Sequence, residues 1–501
     1  MSRFVNLGDI IQRDLDQKKI GLIDLGGESG PRSYSYSEID EKSNAVARGL
    51  LQRGFKKGTR IAILSANRAE FIFCHFGIMR AGLVSVPINF KFPPALIDFV
   101  IEDADVELVF CDAMRANDVP KHLPKIVFNR EDAGGLDAFM DPGPFDVISP
   151  DSSEAALFLY TSGSTGKPKG VILSHQSHIW VADTRLKNHD YSGERFLIAA
   201  PLYHMNALAL TNLSVMAHAT IVLLPQFIAK NYLMAIEKYQ CTWLTAVPPM
   251  IAMMLQEKDL ISKTDFSSVK SLRMGSAPVS QSLLKSIEEV LPNIHVTNAY
   301  GTTEGGPVVF GPHPKGLKQP LLSVGYPHPD VELRLVHGVL EMKSPGLLMG
   351  YHKASLRSPK LKSPFTEDGF YITGDIFRVD EDGFYFFVGR VDDMFVSGGE
   401  NIYPSEVERL LETHPMVEQS AVIPIEDDIK GHKPAAFVVL KPGDSLSVET
   451  LKQFCLQNAP AYQHPRWIWF IDKLPLASTN KIDRVRLQEL AQKNLNQENS
   501  L

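Results

Sequence analysis

Short apolar runs alternate with helix-period segments through the first three quarters of the chain. Residues 60–65 read as a strand, the apolar spacing over 69–81 predicts an amphipathic helix, and 84–88 follows as the next strand. The alternation returns at 243–247, where Pro248-Pro249 opens a helix over 250–257. It returns again at 271–275, which ends in a Gly-Ser-Ala-Pro turn, and at 295–299. Strand then helix, repeated, predicts parallel sheets with helices on their faces, and ligands gathering at the carboxyl ends of the strands.

After about residue 330 the texture changes. Residues 331–335, 339–343 and 384–388 read as short antiparallel strands set apart by glycine turns. Beyond Gly389-Arg390-Val391-Asp392-Asp393 comes a helix over 404–413, strands over 418–424 and 435–440, and a helix over 448–458. That order predicts a small α+β domain. The basic stretch 353–362 reads as a solvated loop.

From Phe196 to Ala229 there is no Asp, Glu, Lys or Arg. Length alone would allow a membrane span, but Pro201, His204, Asn206, Asn212, His218 and Pro225 interrupt any apolar face. A buried helix followed by a strand over 220–224 accounts for the run, so no integral membrane span is expected. The 501 residues exceed one compact core, and a charged fraction of 22% beside 44% hydrophobic residues fits a globular protein. A net charge of −7 gives no reason to expect a nucleic-acid partner. Cys74, Cys111, Cys241 and Cys455 are scattered without zinc spacing and read as ordinary thiols of a reducing compartment. The first residues lack the apolar stretch of a secretory signal and Asn499-Ser500-Leu501 is a poor peroxisomal address, so a cytoplasmic location is expected. Nothing in the sequence speaks to the oligomeric state.

The chemistry begins at Leu159-Tyr160-Thr161-Ser162-Gly163-Ser164-Thr165-Gly166-Lys167-Pro168-Lys169-Gly170. Glycines let such a loop turn its N–H groups inward, while hydroxyls and lysines supply donors and positive charge for a polyphosphate. The spacing differs from the Walker loop, because only two residues separate Gly163 from Gly166-Lys167 and a proline follows. Tyr300-Gly301-Thr302-Thr303-Glu304 offers an aromatic face for a base, hydroxyls for a phosphate and a carboxylate for Mg²⁺, or else a plain turn. Residues 371–375 read as a strand ending in Asp375, able to hold ribose hydroxyls or to cap a turn. Lys481 sits in a polar loop and reads alone as a surface lysine.

Taken in order, these motifs resemble the adenylate-forming superfamily of acyl- and aryl-CoA synthetases, luciferases and non-ribosomal adenylation domains. The series comprises Arg80-Ala81-Gly82 with Val86-Pro87-Ile88-Asn89, the loop 160–170, Pro201-Leu202-Tyr203-His204, Gly275-Ser276-Ala277-Pro278, and Asn298-Ala299-Tyr300-Gly301-Thr302-Thr303-Glu304. It continues through Tyr371 to Asp375, Gly389 to Asp393, 397–408 and Lys481. The resemblance implies an α/β fold with a large N-terminal domain, 1–389, of two doubly wound α/β subdomains and a small β-barrel-like subdomain. A small mobile α+β domain, 390–501, would follow, with Asp392 at the hinge. It implies an AMP-forming ligase that uses ATP, Mg²⁺ and CoA to activate a carboxylic acid as its adenylate and pass it to a thiol.

By the same resemblance Thr161, Ser162, Gly163, Ser164, Thr165, Gly166 and Lys169 hold the β- and γ-phosphates. Gly275, Ser276, Ala277 and Pro278 line adenine, Asn298 meets its amino edge, and Tyr300 stacks on it, with Gly301 and Thr302 in the same motif. Thr303 contacts the α-phosphate, Glu304 ligates Mg²⁺, and Asp375 and Arg390 bind the ribose. Lys481 is delivered by the small domain for adenylation, and Gly398 and Gly399 line the pantetheine tunnel. One departure stands out. Asn480 occupies the place before the lysine where relatives usually carry glycine, which leaves room for slow adenylation or for a nucleotide-binding pseudoenzyme. Amino-acid-activating relatives carry an aspartate near Tyr203-His204 that is absent here, so an acid without an α-amino group is expected. His204 then borders the carboxylate or gates the thiol, or is simply packed. Aryl, cinnamoyl and medium-chain fatty acids stay open, and so does a carrier-protein pantetheine arm in place of free CoA.

Overall fold

The computed structural model describes residues 3–27, 30–151, 154–161, 167–187, 189–353, 364–397, 400–477 and 480–498. Two seven-stranded sheets form the body. In one, the strands Ser271–Gly275, Trp243–Ala246, Arg195–Ile198 and Thr220–Leu223 run parallel between His295–Ala299 and Ile20–Asp24, and Arg32–Ser35 closes the edge antiparallel. In the other, Ala155–Thr161, Val84–Pro87, Arg60–Leu64, Val106–Cys111 and Lys125–Val127 are parallel neighbours. All four residues of Val84–Pro87 are buried. Strands covered by helices on both faces carry unbroken apolar runs of this kind.

The long uncharged segment is core. The helix Met205–Met216 is buried along nearly its whole length and the strand Thr220–Leu223 follows it. Among the described residues no helix is long and apolar enough to cross a membrane. Arg80, from the first motif of the series, is fully buried, with Nη1 2.7 Å from Asp40 and Nε donating to the Gly8 carbonyl at 2.7 Å. It ties the N-terminal segment to the body.

The expected barrel-like part is a four-stranded antiparallel sheet, Glu332–Val336, Val339–Lys343, Tyr371–Val379 and Tyr385–Arg390. The ribbon of Phe310–Gly311 with Tyr326–Pro327 lies beside it, and Phe310 packs on Tyr385 with ring centroids 5.2 Å apart. One expectation is corrected here. Asp375 does not end a strand but lies inside Tyr371–Val379, next to a register shift between Ile376 and Phe377. Gly374, at φ +72°, looks like a terminator in sequence but serves the irregularity instead.

The C-terminal unit packs the helices Pro404–Glu412 and Val448–Asn458 against a five-stranded sheet built on the hairpin Val417–Asp427 and Gly431–Leu440. It touches the large domain. Gln256 Nε2 donates to Glu418 Oε1 at 3.1 Å, and Arg409 Nη2 donates to the Phe387 carbonyl at 2.9 Å.

Candidate active site

The carboxyl ends of Ser271–Gly275 and His295–Ala299 open onto a cavity of about 1910 Å³, walled also by the antiparallel sheet and by the small domain. Gly275 pairs with Ala299 of the neighbouring parallel strand, and a β-carbon there would lie 2.8 Å from the Ala299 carbonyl oxygen. Ser276 follows in the left-handed region, φ +66°, turning Ala277 and Pro278 along the cavity wall. Asn298 spends its amide nitrogen on the Leu322 and Ser323 carbonyls, at 3.1 and 3.2 Å. Its oxygen is left as the acceptor.

Tyr300, Asp375 and Arg390 form one corner. The Tyr300 hydroxyl donates to Asp375 Oδ2 at 2.5 Å, while Arg390 Nη1 lies 3.2 Å from Oδ1. Asp375 and Arg390 are partners across the two strands, so the sheet itself brings them together. Burial raises the Asp375 carboxyl, opposed by Arg390 and by the tyrosine hydrogen bond, and it pushes Tyr300 up as well. Phe377 meets the Tyr300 ring edge-on at 4.9 Å, fixing its plane.

Thr161 and Lys169 pair across the antiparallel strands that flank residues 162–168. Ser162, Gly163, Ser164, Thr165 and Gly166 lie outside the described residues, as do Gly398 and Gly399. Lys169 Nζ stands 3.3 Å from Glu304 Oε1, and both meet the Tyr351 hydroxyl, at 3.1 and 3.0 Å. Glu304 is held by a tight turn in which Thr302 Oγ1 accepts from Gly305 N at 2.7 Å. A β-carbon on Gly301 would sit 2.7 Å from the Gly306 carbonyl oxygen, so this turn requires glycine. Thr303 lines the cavity beside it.

His204 stands at the N-cap of Met205–Met216 without capping it. Its Nε2 is buried without a hydrogen-bond partner among the described residues. Burial, aided by the nearby cations Lys481 and Lys91, holds the imidazole down to about 3 and therefore neutral. Lys481 comes from the small domain. Its loop is closed by Ala477 N donating to the Lys481 carbonyl at 2.7 Å, with Asn480 at φ +59°. The residue as a whole is exposed, but its ammonium faces the cavity. Burial there and Arg390 lower its pKa, while Asp375 and Glu304 oppose the shift. Asp392 lies exposed in the turn after Arg390.

Sequence reasoning missed Tyr351 and Arg273. Tyr351 is far along the chain from both residues it joins, and Arg273 lies in the strand just before the Gly275 motif rather than in it.

Two family models match parts of the chain: residues 16–352 match the AMP-binding enzyme family and 406–481 match the AMP-binding enzyme C-terminal domain. The chain belongs to the AMP-binding enzymes, as an AMP-forming acid–CoA ligase that uses ATP and CoA. It is 31% identical over 466 residues to a feruloyl-CoA synthase of Amycolatopsis sp, covering 90% of this chain and 93% of the relative. It is 29% identical over 518 residues to the mitochondrial medium-chain acyl-CoA ligase ACSF2 of Macaca fascicularis, covering 92% and 83%. Its fold is similar to the crystal structure of the anthranilate CoA ligase AuaEII in complex with anthranoyl-AMP, with a TM-score of 0.86, 25% identity and 98% of both chains covered.

Proposed function

We propose that the residues gathered in the cavity divide the reaction between a nucleotide corner and an acid corner. Adenine lies against Tyr300 and the 275–278 turn, with its amino group donating to Asn298 Oδ1. Asp375 and Arg390 take the ribose hydroxyls, and Thr161, the loop 162–166 and Lys169 take the β- and γ-phosphates. Thr303 donates to the α-phosphate. The reading is carried by Lys481, whose ammonium reaches from the small domain into the same cavity as Asp375 and Glu304.

A carboxylate attacking the α-phosphorus is an anion approaching an anion. Lys481 offsets that repulsion and holds both oxygens in line. The new carbon-bound oxygen–phosphorus bond forms as the bond to the β-phosphate oxygen breaks, and pyrophosphate leaves. Glu304 fits a Mg²⁺ site of the kind completed by substrate phosphates: it is a single buried carboxylate already facing a cation, Lys169. Bound there, Mg²⁺ would neutralise charge on the phosphates. In the second half-reaction a thiolate attacks the acyl carbon and AMP departs. His204 borders the acyl group as a neutral side chain. Domains 1–389 and 390–501 rotate about Asp392 between the steps, and Gly398 and Gly399 then face the pantetheine arm.

The cytoplasm is the proposed location. Its support is the four buried, free cysteines, which suit a reducing compartment; cell fractionation tests it. The activity is tested by a panel of carboxylic acids, measuring AMP formation with and without free CoA. AMP and thioester produced only with CoA and a particular acid support the reading. Pyrophosphate release without turnover on free CoA would move the acceptor to a carrier protein, and ATP split only to ADP would end the proposal.

A further inference from the structure

Arg273 is the third residue of Ser271–Gly275 and lines the same cavity as Gly275, two residues deeper on the same strand face. Its Nη2 donates to the Pro307 carbonyl oxygen at 3.1 Å. Arg185, in the last turn of the helix His175–Leu186, sends its own Nη2 to that same oxygen at 3.4 Å. Two guanidiniums therefore converge on one neutral carbonyl. Neither has a carboxylate within ion-pair distance among the described residues.

Several other arginines of the body do have such a partner. Arg80 has Asp40, Arg68 has Glu70 and Asp112, and Arg32 has Asp24 and Glu70. Placing two cations side by side away from water is unfavourable unless an anion joins them. Both arginines are pulled down by burial, and Arg273 further by Arg185, with only the Tyr191 hydroxyl acting the other way on either. The Pro307 carbonyl has no third lone pair to offer. Among the described residues, Nε and Nη1 of Arg273 make no hydrogen bond to protein, yet they are not among the polar atoms sealed from solvent. They are donors open to the cavity.

We propose that the part of the cavity lined by Arg273 is an anion subsite, and that the acid activated here carries a second carboxylate remote from the reacting one. Arg273 binds that carboxylate through its free N–H groups and Arg185 supports the charge from behind. Met205, Val247 and Met250 line the same cavity with apolar surface suited to the linking carbons. The inference rests on the acid–CoA ligase reading above.

The test compares straight-chain monocarboxylates with α,ω-dicarboxylates of equal carbon number. Para-carboxycinnamate is compared with cinnamate and para-hydroxycinnamate. Acid-dependent AMP release in the presence of CoA is measured for each. A diacid favoured over its matched monoacid in kcat/KM by roughly ten- to a hundredfold is expected for at least one pair. That comparison uses the unaltered enzyme and depends on no variant folding. In R273M the preference should reverse, through loss of the diacid rate and a gain for the methyl-ended acid. Monoacids or the phenol preferred throughout, or R273M lowering both series equally, would overturn the subsite and leave the arginines as a brace for the Pro307 turn. Failure of every acid in both series to release AMP would instead sink the ligase reading, and the subsite with it.

Discussion

Lys169 and Glu304 meet as an ion pair, Nζ to Oε1 3.3 Å, with the Tyr351 hydroxyl touching both. The pair sits where the proposed triphosphate and its cation must go. Binding of Mg·ATP would replace it with two stronger contacts: Lys169 to phosphate and Glu304 to the metal.

E304Q keeps the shape and the Tyr351 hydrogen bond but removes the charge. Pyrophosphate release titrated against Mg²⁺ should then need a higher metal concentration, with kcat/KM for ATP down on the order of a hundredfold. An unchanged Mg²⁺ dependence would remove Glu304 from the metal.

K481A should lower acid-dependent pyrophosphate release by roughly 10² to 10³, the range expected when one cation aimed at developing charge is lost. Supplied with preformed acyl-adenylate, the same variant should still make thioester at close to the native rate. Equal loss in both half-reactions would point to a general structural defect.

Asn480 holds φ +59° just before the lysine. Asparagine tolerates that conformation and alanine does not, so N480A should cost about 1 kcal/mol and slow adenylation with it. N480G should fold as well as the native chain. Thermal unfolding of the two variants checks the sign. A more stable N480A would mean the loop does not keep this backbone.

Three buried histidines set the acid limit. Burial holds His75 down to about 3, and His175 and His178 down to about 4. His175 Nδ1 accepts from Leu7 N at 2.9 Å and so must be unprotonated. An unfolded histidine gains its proton near 6.5, so below that pH the unfolded state binds more protons. Stability is full above about pH 6.5 and falls as pH drops toward 4, by up to about 3 kcal/mol for each of His175 and His178. H178M, removing one titrating group whose Nδ1 has no partner among the described residues, should flatten the melting temperature against pH in that window. A slope as steep as the native one would exclude His178 as a source.

How much of this was legible in the chain depended on sequence distance. Ser271–Gly275, His295–Ala299 and Val448–Asn458 fall on their expected residues, because apolar period and bounding turns are local signals. The helix opened by Pro248-Pro249 starts at the prolines themselves, two residues earlier than read, since proline is accommodated in a first turn. The hairpin of the small domain is longer than read: Glu426, Asp427, His432 and Lys433 pair as strand despite their loop-like polarity. Among site residues, Glu304, Asp375, Arg390 and Lys481 stood in recognisable motifs. Tyr351 and the meeting of Arg185 with Arg273 depend on contacts between distant segments, and no local pattern encodes those.

Arg390 is the last residue of its strand, and the turn carrying Asp392 begins at the next position. The side chain proposed to grip the sugar is thus two residues from the joint, Asp392, on which the small domain would swing. Departure of the spent nucleotide would loosen both at once, so the cycle's resetting step would be timed by product leaving rather than by any separate latch.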